Sequence, residues 1–357
     1  MKIGFIGNGW RTEGYWRVVR QVPEKFEISG VLFRNPDKAA AFSQDHPGLA
    51  FTDLGDFLRQ PHDMVFILLP AHVLPPYVEA VLSAGFPLMI ETPPTWDPEK
   101  LTELWEIQKK YGARIQVAEQ YFLQPYHRAV RALVDRGILG EVSNLRISMA
   151  HDYHGISVMR RLLGQGAGNC TVTAQRFSFP VLSHCGRGGL GEGVMRTDGR
   201  KVASFAFDDG RVGFFDFAGE QYFNYFRSRH LNVQGTHGEL NDYDVTFWNG
   251  SMPVSARLER QDMGKDSNLE GYFHRCFTWN GEMIYKSPFA KYTEARLTDD
   301  EIAMGSLLLG MERMIGGGEE IYPLAEALTD TYLFMKMDEA IRTGGPVRTQ
   351  TQVWETR

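Results

Sequence analysis

Over residues 2–118 short, uninterrupted apolar runs alternate with helical patterns, and few folds accommodate that alternation. Lys2–Gly7, Phe26–Phe33, Met64–Leu69, Pro87–Glu91 and Arg114–Ala118 read as strands. Thr12–Gln21, Asn35–Asp45, Pro76–Ala84 and Pro98–Tyr111 read as the helices between them. Strands that are apolar on both faces need cover on both faces, which a parallel sheet with helices above and below provides. Right-handed crossovers then make this region a doubly wound, Rossmann-type α/β domain.

The pattern changes after Tyr126–Gly137, an amphipathic helix with Val130, Leu133 and Val134 on its apolar face. Strand patterns dominate from there: Val142–Ala150, Val172–Phe179, Lys201–Phe207, Val212–Phe217 and Leu231–Gln234. Asp208-Asp209-Gly210 between two alternating runs is a hairpin signal. A helix over Leu324–Thr343 stops at Gly344-Gly345-Pro346. The expected architecture is an N-terminal α/β Rossmann domain over 1–120 and an α+β C-terminal domain over 121–357. The second would carry a large, mostly antiparallel sheet, with helix 324–343 packing back on the first. A length of 357 residues fits two domains.

Composition removes several function classes. Hydrophobic residues make up 43% of the chain, enough to exclude disorder as the dominant state. Lys and Arg number 38 against 44 Asp and Glu, a net charge of −6, which argues against nucleic-acid or anionic-membrane partners held by bulk charge. Cys170, Cys185 and Cys276 cannot all pair and show no Cys-x-x-Cys spacing, so neither a disulfide scaffold nor a structural zinc site is expected. No run approaches the roughly 20 apolar residues of a membrane span. Met1-Lys2-Ile3-Gly4 enters a strand at once, unlike a secretion signal. A reducing cytoplasm is the expected compartment.

The first strand ends in Gly7-Asn8-Gly9-Trp10-Arg11-Thr12 and opens a helix. Gly7 and Gly9 supply a tight turn and close backbone approach to a pyrophosphate, and the helix N-terminus supplies N–H groups and a positive dipole end. Thr12 stands where the fingerprint has its third glycine. Trp10 and Arg11 either cover the pyrophosphate or, for the tryptophan, pack onto the sheet. An NAD site usually has an acidic residue at the end of the second strand for the ribose 2′-hydroxyl. Here the run is Leu32-Phe33-Arg34-Asn35-Pro36, with an arginine and no carboxylate. Arg34 fits a 2′-phosphate, so NADP is expected in preference to NAD.

In order along the chain stand further landmarks. They are Leu69-Pro70-x-His72, Glu91-Thr92-Pro93-Pro94, Gln124-Pro125, Gly137-Ile138-Leu139-Gly140-Glu141-Val142, and His154-x-x-Ser157-x-x-Arg160-x-x-x-Gly164. Phe207-Asp208-Asp209-Gly210, Gly235-x-x-Gly238 and Glu326-Ala327-Leu328 complete the series. Together with the glycine turn and Arg34-Asn35-Pro36, this order resembles the Gfo/Idh/MocA oxidoreductases over essentially the whole chain. The resemblance implies a dehydrogenase-type site with His154 on the active-site helix. It implies cofactor contacts from Gly7, Asn8, Gly9, Trp10, Arg11, Arg34, Leu69, Pro70, His72, Glu91, Thr92 and Gln120. It also implies a homodimer or homotetramer paired through the C-terminal sheet.

The departures from the family pattern fall on the chemistry. Thr92 replaces the lysine of Glu-Lys-Pro and has a hydroxyl but no charge, and Thr92-Pro93 is a candidate cis bond. Ala118-Glu119-Gln120-Tyr121-Phe122 replaces a basic segment. Ala150 and Ser157 stand where aspartates flank the histidine. Three readings compete. In the first, a redox enzyme on a sugar, cyclitol or polyol has rebuilt its acid/base groups, with His154, Asp152, Thr92 and Tyr121 as the catalytic set. His151 and Glu119 are further candidates to orient the histidine. In the second, the cofactor serves transient oxidation, as in the family's glycosidases. In the third, the protein is a degenerate sensor that binds dinucleotide and ligand. His151 and His154 could reach a metal only with Asp152 or Glu119, and no metal is expected. Arg160 and Arg161 read as helix surface and interface charges. Tyr222–Phe226, with Arg227 and Arg229, reads as a strand of sheet core and oligomer face, or else a substrate platform. The glycine-rich run Gly186–Gly193 reads as a closing loop or a hairpin tip.

Overall fold

The computed structural model describes residues 1–166, 168–264, 273–292 and 295–355. These form two compact units. The first comprises Met1–Pro125, Gln261–Cys276 and Lys286–Leu328. The second comprises Tyr126–Arg260, Phe277–Tyr285 and Thr329–Arg357. The chain thus leaves the first unit near residue 125 and returns to it, and the first five residues of helix 324–343 cluster with the first unit. No helix among the described residues is long and apolar enough to cross a membrane.

In the first unit the strands are β1 (Lys2–Ile6), β2 (Glu27–Leu32), β3 (Ala50–Phe51), β4 (Met64–Ile67), β5 (Leu88–Ile90) and β6 (Ile115–Val117). The helices are α1 (Trp10–Gln21), α2 (Pro36–Asp45), α3 (Leu54–Leu58), α4 (Leu74–Ser83) and α5 (Pro98–Tyr111). The strands are parallel in the order β3-β2-β1-β4-β5-β6, the Rossmann order. Their side chains leave no solvent face: Met64, Val65, Phe66 and Ile67 are all fully buried, as are Leu88, Met89 and Ile90. Each such large apolar side chain contributes about 1.5–3 kcal/mol of burial free energy. Local chemistry sets the helix starts. Asn35 Oδ1 accepts from the N–H groups of Asp37 and Lys38, and Pro36 occupies the first position of α2.

A later segment completes this unit. Helix α8 (Asp299–Ile315) opens with a capping box in which Thr298 and Glu301 satisfy each other's backbone N–H groups. The side chain of Gln116, fully buried in β6, donates to the Leu307 carbonyl and accepts from the Ile321 N–H. Val117 N–H donates to the Tyr322 carbonyl. These bonds cover the edge of β6, a strand otherwise open to pairing with other chains.

In the second unit α6 (Pro125–Asp135) leads to β7 (Val142–Ser148) and α7 (Asp152–Leu163). An 11-stranded sheet follows from β8 (Cys170–Gly186), β9 (Gly189–Phe207), β10 (Val212–Ala218), β11 (His230–Gly235), β12 (Gly238–Asn241), β13 (Asp244–Trp248), β14 (Pro253–Met263), β15 (Phe273–Trp279), β16 (Glu282–Lys286) and β17 (Val347–Arg348). Its order is β16-β15-β14-β13-β12-β11-β7-β10-β9-β8-β17. β7 and β10 run parallel and the other described pairings are antiparallel. The long helix α9 (Leu324–Thr343) completes the elements used below.

Three expectations need correction. The strands expected over 172–179 and 201–207 are the inner halves of a much longer ribbon, β8–β9, paired from Cys170↔Phe207 out to Gly186↔Gly189. The run Gly186–Gly193 is its turn and flanking strand, not a closing loop. Pro180 is accommodated because, beyond the two-residue β17 pairing, β8 is an edge strand. Tyr222–Phe226 is not a strand: Gly219–Tyr222 is a 3₁₀ turn and β11 begins only at His230. Arg160 is not a surface charge. It is 1% exposed, donating from Nη1 to Asp330 Oδ1 at 2.7 Å and from Nη2 to the Gly166 carbonyl.

Candidate functional site

The C-terminal edge of the parallel sheet gathers most of the residues expected to hold a dinucleotide, since successive strands point their ends the same way. At the end of β1, Gly7 has φ +111°, and a Cβ there would lie 2.5 Å from the Leu68 carbonyl oxygen. Only glycine fits. Gly9 caps α1 with open space at its Cα, and nothing would meet a Cβ within 4 Å. Thr12, in the slot of the third fingerprint glycine, is fully buried and donates its hydroxyl to the Gly7 carbonyl at 3.2 Å. It holds the turn that a third glycine would otherwise let the helix approach. The first turn of α1 then offers N–H groups with no intrahelical acceptor, an anion site. Asn8 is half-buried and Trp10 is exposed beside them.

Arg34 follows β2, exposed, between the strand end and the Asn35 cap, with no ion pair among the described residues. Leu69 is half-buried and Pro70 and His72 are exposed after β4. The Thr92-Pro93 peptide is cis and the threonine side chain is buried.

Arg11 does not lie out over the turn. It points inward with Nε 3.3 Å from Glu91 Oε1 and Nη1 3.5 Å from Asp300 Oδ2. Gln120 Nε2 and Gln124 Nε2 reach the other oxygen of Asp300. The Tyr121 N–H donates to Glu119 at 2.9 Å. The ends of β5 and β6 and the first turns of α1 and α8 thus share one charged knot. Glu91 Oε2 is buried there without a hydrogen bond. Burial pushes the Glu91 carboxyl up to about 7 against the pull of Arg11, with Glu119 and Asp300 adding to the rise. Burial would lower the Arg11 guanidinium, but Glu91, Tyr15 and Asp300 outweigh it and hold Arg11 above its ordinary value.

The second unit carries the histidine cluster. Helix α7 lies close on the sheet because Gly155 and Gly213 allow it. A Cβ on Gly155 would come within 2.7 Å of the Phe215 ring, and one on Gly213 within 2.1 Å of Met159 Sδ. His154, on the first turn of α7, is buried. Its ring packs at 4.7 Å from that of His151 and 4.3 Å from that of Tyr153. His151 Nδ1 and its backbone N–H both meet the Tyr222 hydroxyl. Asp152 opens the helix at φ 46°, a left-handed position for a residue with a side chain. Its carboxylate accepts from Lys201 Nζ at 2.9 Å, and Lys201 also reaches Asp338 Oδ1 at 2.9 Å.

The structure therefore joins Gly7, Gly9, Arg11, Glu91 and Gln120 along one sheet edge, and His151, Asp152 and His154 at one helix start. Sequence reasoning missed Asp300, Lys201 and Tyr222. Asp300 lies in the first turn of α8, far in sequence from its partner Arg11. Lys201 read only as the first residue of a strand, and Tyr222 as part of one.

A family model described as an oxidoreductase family with an NAD-binding Rossmann fold matches residues 1–119. The matched model is that of the Gfo/Idh/MocA oxidoreductases, and the match covers one third of the chain. Inositol 2-dehydrogenase of Corynebacterium glutamicum is 29% identical over 149 residues, 41% of this chain and 44% of that protein. The chain thus matches less than half the length of this relative. Among solved structures, levoglucosan dehydrogenase in complex with NADH and levoglucosan has a TM-score of 0.69 at 14% identity, covering 99% of this chain and all of that one. An oxidoreductase from Agrobacterium radiobacter in complex with NAD+, L-tartaric acid and magnesium has a TM-score of 0.69 at 15% identity, over 97% and 98%. These two are likenesses of fold, and they extend over both units.

Proposed function

We propose that the protein is an NAD(P)-dependent oxidoreductase that moves a hydride between nicotinamide and the carbinol carbon of a neutral or derivatised sugar, cyclitol or polyol. The observation that carries this reading is the sheet edge at Gly7. A backbone that excludes any side chain opens onto a helix N-terminus, in a domain matched by an NAD-binding oxidoreductase family. Relatives named for inositol and levoglucosan support the polyol class.

The residue roles follow from chemistry. Gly7, Asn8, Gly9 and Trp10 hold the pyrophosphate, and Arg34, exposed and without a carboxylate partner, takes a 2′-phosphate, so NADP is preferred to NAD. Leu69, Pro70, His72, Thr92 and Gln120 line the remainder, and Arg11 and Glu91 brace the floor. His154 takes or returns the hydroxyl proton. Asp152 and Tyr121 contact the substrate, and Thr92 donates a hydrogen bond without supplying charge. Residues 1–120 act as the cofactor domain and 121–357 as the substrate domain of a cytoplasmic homodimer or homotetramer. The exposed Phe177, Phe179, Leu190 and Met195 of the β8–β9 ribbon are apolar surface that a second copy would cover.

A sugar and polyol panel, followed at the nicotinamide absorbance with NADP and with NAD, tests the reading. Turnover of a polyol, lost in His154→Ala, is the expected result. Dinucleotide binding with no turnover and no effect of His154→Ala would favour a ligand sensor instead.

A further inference from the structure

Three elements of the second unit converge on one ammonium. Lys201 of β9 lies 2.9 Å from Asp152 Oδ1 at the start of α7 and 2.9 Å from Asp338 Oδ1 on α9, with its Nζ 4.7 Å from the Phe334 ring centroid. Lys201 and Asp152 are each about one-fifth exposed, so both are reachable from solvent. An ammonium has three hydrogens and accepts none. The two carboxylates take two; the third has no hydrogen-bond acceptor among the described residues, and the Phe334 ring face is the ammonium's remaining neighbour. Each carboxylate also keeps oxygens that the lysine does not use.

The surroundings place this group beside the histidines. Asp152 stands between His151 and Tyr153, whose rings both pack against that of His154. Phe334, under the ammonium, packs 6.5 Å from Tyr153, whose ring is 4.3 Å from His154. Asp152 holds a left-handed backbone, and strain of this kind persists where the surroundings fix a residue for a task. The ion pair to Lys201 is part of what fixes it.

One free donor flanked by carboxylate acceptors fits two adjacent hydroxyls. Each hydroxyl can accept from an ammonium or donate to a carboxylate, and charge-assisted bonds of this kind are the stronger ones. The trio also carries one positive charge against two negative ones, so it repels a ligand that brings its own carboxylate. We propose that Lys201, with Asp152 and Asp338, is the vicinal-diol clamp of the substrate site and selects neutral polyols over sugar acids. This rests on the oxidoreductase reading above and adds a specificity-determining lysine to it.

The test is calorimetric titration of the NADP-loaded protein with myo-inositol, levoglucosan and glucuronate at pH 7. The expected result is binding of at least one neutral polyol, with glucuronate at least tenfold weaker. Lys201→Met should weaken the polyol at least tenfold and leave NADP affinity within twofold. Lys201→Arg should recover binding to within about threefold of the native protein. If Lys201→Met does not fold, Lys201→Gln is used, because its amide has only two hydrogens and both carboxylates claim them. The proposal is overturned if a folded Lys201→Met or Lys201→Gln binds the polyol as the native protein does. It is also overturned if glucuronate binds as tightly, or if the NADP-loaded protein binds neither polyol. Failure of native protein to bind NADP or NAD at all instead overturns the oxidoreductase reading beneath it.

Discussion

Arg11 Nε lies 3.3 Å from Glu91 Oε1, tying the first turn of α1 to the end of β5. The pair makes the first unit sensitive to pH. Burial holds Glu91 at about 7, above its value in an unfolded chain, so the folded state binds that proton more tightly. Its contribution to stability is full below the unfolded value and is lost as pH rises through about 7. Urea unfolding should show stability falling by about 2–3 kcal/mol between pH 5 and pH 8 from this group. Glu91→Gln should flatten that part of the profile. An unchanged slope in the variant would contradict the assignment.

The Arg160–Asp330 pair is almost wholly buried, at 1% and 2% side-chain exposure. Breaking a buried pair by removing one partner costs about 3–5 kcal/mol. Asp330→Asn should therefore lower the unfolding free energy by about that amount. An effect under about 1 kcal/mol would mean that solvent reaches the site.

Gly7→Ala must fit a Cβ 2.5 Å from the Leu68 carbonyl while keeping φ at +111°. Strain of this kind costs about 1–3 kcal/mol, and the turn should shift to relieve it. The expected outcome is a lower Tm together with at least tenfold weaker dinucleotide binding. Gly112→Ala, at a helix end with open space around it, serves as a comparison for the effect of positive φ alone. It should lower Tm without touching dinucleotide affinity.

His154→Ala should reduce kcat on a polyol substrate by at least 100-fold, as expected when a proton-transfer group is removed. Dinucleotide affinity should remain within twofold. Tyr222→Phe, which removes the hydroxyl that meets His151 at both Nδ1 and the backbone N–H, should give a smaller loss and a shifted pH profile. Equal kcat in native protein and His154→Ala would remove the histidine from the chemistry.

Much of the parallel sheet over residues 2–118 was legible in the sequence because its elements announce themselves locally. Runs such as Met64–Ile67 allow no other placement than a sheet covered on both faces, and the Asn35-Pro36 cap and Gly7-x-Gly9 turn are short-range signals. What escaped was set by distant partners. Asp300 joins Arg11 across nearly 290 residues, and nothing near it in sequence says so. Arg160 looked like a solvated helix charge because its partner, Asp330, lies 170 residues on. The outer β8–β9 ribbon was not read from the sequence, where Gly186–Gly193 stood as a glycine-rich loop or hairpin tip. Tyr222 read as part of a strand from its aromatic neighbours, yet the 3₁₀ turn at Gly219–Tyr222 leaves it to bond His151. The departures at Thr92 and Ala150 were visible in the sequence. Lys201 and Asp338, which gather on Asp152, were visible only in the fold.

The most direct test is calorimetric titration of the purified protein with NADP and NAD, repeated on Arg34→Ala. The account predicts that both nucleotides bind, with NADP at least tenfold tighter. It predicts that Arg34→Ala removes most of that difference by weakening NADP alone. Failure of either nucleotide to bind would contradict the oxidoreductase reading, and NAD binding at least tenfold tighter than NADP would contradict the role given to Arg34.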